Sequence, residues 1–174
     1  QGAVYRFGKL HLDSIPVGIL NITGISAKQY EGKFLEPQKI AQLMNKILSY
    51  AENNGYPFAS LRFQNTAMSA NRVLDARLIY RPGKKIIIDT IEIQGNATVD
   101  YSFILSYLGL KNKQLYNEAT LKAISRKIKE LPILQESQPW NISFNILKTS
   151  LYIYLGEKRS NQVNALLGFQ PNNL

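Results

Sequence analysis

The feature that most constrains this 174-residue chain is a period of 81. Tyr5, Phe7, Leu10 and Leu12 are strand-forming residues whose alternation slips one place after Phe7. Ile86, Ile88, Ile91 and Ile93 repeat the pattern and the slip, since 86−5, 88−7, 91−10 and 93−12 all give 81. A slip at the same point in two strands predicts a bulge or burial of both faces. Ile40, Leu43, Ile47 and Tyr50 form a helical stripe at i, i+3, i+7 and i+10, and Leu121, Ile124, Ile128 and Leu131 repeat it at the same offset. Strand and helix recurring at one spacing predict two copies of one unit, each of roughly 80 residues and still able to bury a core.

Each copy can then be filled in. A short helix follows each first strand: Ile15 to Ile22 ending at Gly24-Ile25, with Pro16 and Gly18 inside it, and a second helix capped by Thr98 and ending at Gly109 before apolar Leu110. Pro37 suits the first turn of the first long helix and Asn117 the N-cap of the second, while Gly55-Tyr56-Pro57 and Pro132 are stops. Two extended runs follow each long helix: Phe58 to Ser69 and Val73 to Arg81 in the first copy, Trp140 to Leu147 and Leu151 to Leu155 in the second. Asn71-Arg72 and Lys148-Thr149-Ser150 fit the hairpin connections.

Each copy therefore reads β-α-α-β-β, an α+β fold in which each unit is a three-stranded mixed sheet with two helices on one face. The last two strands pair as a hairpin, and the first reaches its neighbour through a helical crossover and so lies parallel to it. With the last strand central, the first and second strands are the edges. The expected division is 1–83 for the first repeat, 84–158 for the second, and 159–174 for a short tail.

Catalytic groups lack partners in this sequence. There is no cysteine, which excludes disulfide scaffolds, thiol catalysis and cysteine zinc sites. The single histidine, His11, has no neighbouring carboxylate cluster, and no Walker loop, nucleophile elbow or dinucleotide fingerprint appears. Neither a catalytic residue, a metal site nor a cofactor is expected. The formal charge of +9 could favour nucleic acid, an anionic membrane or an acidic partner. Lys111, Lys113, Lys122, Arg126, Lys127 and Lys129 gather around the second long helix without the interleaved aromatics that stack on single strands, which argues against nucleic acid as a partner. A basic nucleic-acid-binding tandem α/β module is the rival reading. Asn21, Asn96 and Asn141 open N-glycosylation triplets, a pattern that arises by chance in an asparagine-rich chain.

The strand Ile91-Glu92-Ile93 running into Gly95-Asn96, then Val99, Ile104, Gly109 and the Leu-Tyr-Asn lead-in at Leu115 to Asn117, closely resembles a polypeptide-transport-associated (POTRA) domain. Asn54-Gly55-Tyr56-Pro57-Phe58-Ala59 resembles the corresponding segment in such domains of the outer-membrane barrel-assembly and translocation-assembly (surface antigen) superfamily. The resemblance covers Tyr5 to about Lys158. Beyond it, Val163, Ala165, Leu167 and Phe169 alternate with polar residues as in the first strand of the family's membrane barrel, which predicts the last two domains before a truncated barrel.

The resemblance implies a non-enzymatic periplasmic arm of an outer-membrane protein of a Gram-negative bacterium. Its partners would be unfolded outer-membrane proteins or accessory subunits, bound by strand addition and passed to the barrel. The candidate contacts are the second-strand edges, around Leu61 and Phe63 and around Trp140, Ile142, Phe144 and Ile146; Gly55, Tyr56, Pro57, Gly95, Asn96 and Gly109 are the motif residues. Proline at Ile142 or Phe144 is expected to disturb the fold, because both are read as ladder positions.

Overall fold

The structure, a computed structural model, describes residues 5–158. The alternating tail from Val163 to Phe169 lies outside the described residues. The chain divides into two compact units, one running up to Ile87 and including Leu115–Glu118, the other comprising Ile88–Gln114 and the chain from Ala119.

The first unit is built from β1 (Arg6–His11), α1 (Val17–Thr23), a single 3-10 turn at Ala27–Gln29, α2 (Pro37–Glu52), β2 (Ser60–Met68) and β3 (Val73–Arg81). The sheet order is β1-β3-β2, with β1 parallel and β2 antiparallel to the central β3. Pro37 opens α2, and the stripe read from the sequence packs on the sheet: Leu43 and Ile47 are buried against Phe7, Leu10, Ala76 and Leu78. Each such side chain contributes about 2 kcal/mol relative to exposure. The phase slip in β1 is a one-residue bulge, because Phe7 pairs with Leu74 but Leu10 pairs with Ala76. Pro16 sits at the N-cap of α1 rather than inside it.

The second unit carries β5 (Thr90–Gly95), α3 (Tyr101–Leu108), α5 (Ile124–Glu130), β7 (Leu134–Phe144) and β8 (Thr149–Glu157), with α4 (Glu118–Lys122) just before α5 in the chain. Its sheet order, β5-β8-β7, repeats the first: β5 is parallel and β7 antiparallel to the central β8. Gly109 lies in the left-handed region at φ 74°, and the Leu110 N–H reaches back to the Leu105 carbonyl at 2.8 Å, closing α3 as the Gly-Leu pair predicts. Gly24-Ile25 closes α1 in the same way, with the Ile25 N–H on the Leu20 carbonyl at 3.0 Å.

Four local expectations are corrected. The run Ile86 to Ile93 is two strands, β4 (Ile87–Ile88) and β5, separated by Asp89; β4 forms a two-stranded ribbon with β6 (Gln114–Leu115), so here the slip is a change of partner instead of a bulge. The second long helix is interrupted at Ala123, although Leu121, Ile124 and Ile128 remain fully buried; Leu131 lies past its end. β7 begins six residues before Trp140, and its turn is Asn145 to Lys148, so Thr149 and Ser150 already belong to β8.

The fourth correction is the cap of α3, which is Asp100 and not Thr98: the Asp100 carboxylate accepts the Phe103 N–H at 2.7 Å. The hydroxyl of Ser102, and then that N–H, hold the Asp100 carboxyl below its ordinary range. A carboxyl depressed in the folded state adds stability that is complete above the unfolded value and is lost as pH falls through the folded one. Asp100→Ala is expected to lower the melting temperature at neutral pH, with the gap to the native chain narrowing below about pH 4. A gap constant from pH 7 to pH 3 would contradict this assignment.

Candidate functional site: the outer edges of β2 and β7

A three-stranded sheet has two edges, and in each unit the first-strand edge is engaged along part of its length. In the first unit the main chain from Gly32 to Leu35 runs along β1. The Phe7 N–H donates to the Lys33 carbonyl at 2.9 Å, the Gly32 N–H to the Phe7 carbonyl at 2.7 Å, and the Leu35 N–H to the Tyr5 carbonyl at 2.9 Å. Arg6 secures this strap: its guanidinium lies 4.1 Å from the Phe34 ring centroid and donates to the Gly32 carbonyl at 3.0 Å. In the second unit side chains engage one residue of the outer side of β5. Asn112 Oδ1 accepts the Ile91 N–H at 2.9 Å, and the Tyr101 hydroxyl donates to the Ile91 carbonyl at 2.8 Å.

The second-strand edges differ. Ser14 Oγ donates to the Leu78 carbonyl at 2.7 Å and accepts the Tyr80 N–H at 2.9 Å, so Leu78 and Tyr80 of β3 face the β1 side. In an antiparallel pair, residues facing away from the partner lie opposite residues that also face away. Leu61 and Phe63, in register with Tyr80 and Leu78, therefore turn their backbone N–H and C=O outward, while Arg62 and Gln64 bond to β3. The side chains of Leu61 and Phe63 pack against the core. Among the described residues no strand pairs with the outer side of β2.

The phase of β7 follows from a contact on β8. The Thr149 N–H donates to Asp89 Oδ2 at 2.7 Å and its carbonyl accepts the Asp89 N–H at 2.9 Å, so Thr149 faces the β5 side of β8. Leu151 follows by alternation, and the residues in register, Phe144 and Ile142, face outward while Asn141 and Ser143 bond to β8. Proline at Ile142 would thus spare the ladder, which corrects the expectation that it breaks the fold. Nearer its start, β7 is less regular. It carries Pro139 and two register shifts, and the Trp140 N–H is taken by Glu136 Oε1 at 3.1 Å, which also accepts the Ser125 hydroxyl at 2.9 Å.

Of the expected contact residues, Leu61, Phe63, Ile142 and Phe144 thus lie on edges, facing outward. Trp140 sits at the bulge with its donor engaged. Ile146 is not in the strand: it and Leu147 form the hairpin turn, 94% and 95% exposed. The motif residues shape the frame around these edges. Gly55 has φ 93° beyond the end of α2, and its carbonyl accepts the Ile86 N–H at 2.7 Å. The Tyr56 N–H reaches the Ala51 carbonyl at 3.0 Å and its ring packs on the core, with Pro57 half-buried beside it. Gly95 ends β5 against Leu155, and Asn96 follows it into the loop before α3.

Several basic residues have local tasks. Lys127 Nζ donates to the carbonyls of Tyr107 and Leu108 at the end of α3, Lys158 Nζ to those of Lys129 and Leu131 at the end of α5, and Arg126 pairs with Glu130 at 2.7 Å. Cations at helix C-termini satisfy orphan carbonyls and oppose the dipole. Sequence reasoning missed Asn112 and Tyr101 because single side chains that plug an edge leave no periodic signal.

No family model matches the sequence, and no curated protein matches it. Solved structures do match in fold. One is BamA from Haemophilus ducreyi lacking POTRA domains 1–3, with TM-score 0.68 and 10% identity, over 88% of this chain and 30% of that one. Another is Haemophilus influenzae BamA POTRA domains 3–5, with TM-score 0.60 and 13% identity, over 91% of this chain and 62% of that one. The chain spans less than two thirds of the length of either. Two β-α-α-β-β units in tandem, each with its third strand central, give this chain the POTRA fold.

Proposed function

We propose that this chain is the periplasmic arm of an outer-membrane protein assembly or translocation factor. It is a binding module, not an enzyme, that takes extended segments of unfolded outer-membrane proteins or of accessory subunits and passes them to a C-terminal barrel. The observation that carries this reading is the selective openness of the sheets. First-strand edges are engaged by a strap at Tyr5 and Phe7 and by side chains at Ile91, while Leu61 and Phe63 in one unit and Ile142 in the other turn backbone donors and acceptors outward. Such an edge binds an extended peptide by main-chain hydrogen bonds, which tolerate many sequences, as a carrier of varied unfolded clients requires.

Leu61→Pro and Leu61→Ala separate backbone from side-chain effects, because both lose the leucine and only proline loses the outward N–H. Titrated with a labelled amphipathic β-strand peptide, Leu61→Pro is expected to bind about tenfold more weakly than Leu61→Ala, with both variants folded by circular dichroism. Equal binding by the two would contradict strand addition at β2.

A further inference from the structure

On the sheet face away from the helices, the first unit carries an arginine beside its open edge. Core-facing Leu61 and Phe63 alternate along β2 with Ser60, Arg62 and Gln64, which point to solvent. In register with these on β3 are Arg81, Ile79 and Arg77, and His11 of β1 lies next to Arg77. Two acids share the face, and both are engaged. Asp13 pairs with Arg77 at 3.5 Å, and Asp75 Oδ1 accepts the Lys9 N–H at 2.6 Å. Arg62 and Arg81 have no carboxylate partner among the described residues. The corresponding face of the second unit presents Asn141, Ser143, Tyr152 and Tyr154, with Asn141 donating to the Tyr154 hydroxyl at 3.1 Å, and its Glu92 is paired with Lys148 at 3.7 Å.

We propose that the β2 edge selects extended segments that place an acidic residue opposite Arg62, so that the first unit reads charge as well as shape. The proposal rests on the strand-addition reading above. An antiparallel strand bonded to the outward groups of Leu61 and Phe63 puts one residue opposite Arg62 in a non-hydrogen-bonded pair, where Cα atoms approach to about 4.5 Å and side chains meet most closely. That residue shares the solvent face with Arg62, while its neighbours point toward the apolar side lined by Leu61 and Phe63. The favoured ligand is an amphipathic strand with a carboxylate at the centre of its polar face. Arg81, in register with the small Ser60, adds to the positive field without competing for the ion pair.

The test uses the whole chain and three nine-residue peptides with identical apolar faces, their central polar residue being Asp, Thr or Lys. At low salt the Asp peptide is expected to bind about fivefold tighter than the Thr peptide, and the Lys peptide about fivefold weaker. Arg62→Gln should level the three affinities and Arg62→Glu should invert their order, while added salt compresses the native differences. If all three bind the native chain alike but Leu61→Pro still weakens them, strand addition stands and charge selection is wrong. If none binds, both fall. Arg62-dependent binding of single-stranded DNA with no preference among the peptides would also overturn the proposal, in favour of a nucleic-acid surface.

Discussion

Gly95→Ala is expected to unfold the second unit at temperatures where the first remains folded. Gly95 ends β5 at φ 112°, a region that residues with a Cβ rarely adopt, and a Cβ built there would lie 2.0 Å from the Leu155 carbonyl oxygen. That oxygen cannot yield cheaply, because it belongs to the central strand β8, pairs in register with Gly95, and also accepts the Ala97 N–H at 3.3 Å. Strain of this kind costs about 1–3 kcal/mol. Displacing buried main chain adds the loss of ladder hydrogen bonds, for a total of about 3 kcal/mol or more. For a unit of this size that is a fall of roughly 15 °C in melting temperature, measurable by calorimetry. A shift of only a degree or two would mean that the end of β5 is not held against β8.

The second large effect is a contrast between neighbours on β7. Ser143 bonds to β8 through its backbone, so Ser143→Pro removes a ladder hydrogen bond, orphans a carbonyl on the central strand and forces the ring against it. The expected cost is about 3 kcal/mol, read by denaturant unfolding. Ile142 faces the other way, and Ile142→Pro should cost little more than Ile142→Ala, which removes the same half-buried side chain without touching the backbone donor. Similar losses from proline at both positions would mean that the alternation has been assigned to the wrong residues.

This contrast also marks how far the sequence could be read. The repeat was legible because burial of one face imposes a spacing on apolar residues, and the 81-residue offset carries both strand and helix with it. Sheet order followed from connectivity, since a hairpin forces its strands together and a helical crossover makes the remaining pair parallel. The phase of the edge strands was not legible. In β2 it depends on Ser14 engaging Leu78 and Tyr80, and in β7 on Asp89 engaging Thr149, both contacts between residues far apart in the chain. β7 departs from the sequence pattern at both ends for local reasons. Gln135, Glu136 and Gln138 lack strand chemistry yet pair with β8 through bulges, and Ile146-Leu147 continues the apolar pattern into a turn where glycine or asparagine is usual.

The engaged first-strand edges were equally hidden. Under the proposed strand addition, engaging part of one edge and leaving the other outward-facing would favour an incoming strand on a single side. Arg62, between the outward residues Leu61 and Phe63, would then sit where the proposed charge selection acts.

Hydrogen exchange at the four consecutive amides of β2 tests this account most directly. In the free chain, Arg62 and Gln64 should be protected by their bonds to β3, and Leu61 and Phe63 should exchange fast. Adding an amphipathic strand peptide with a central aspartate should slow Leu61 and Phe63 markedly and leave Arg62 and Gln64 nearly unchanged. Protection that rose equally at all four residues, or only on α2, would contradict strand addition at this edge.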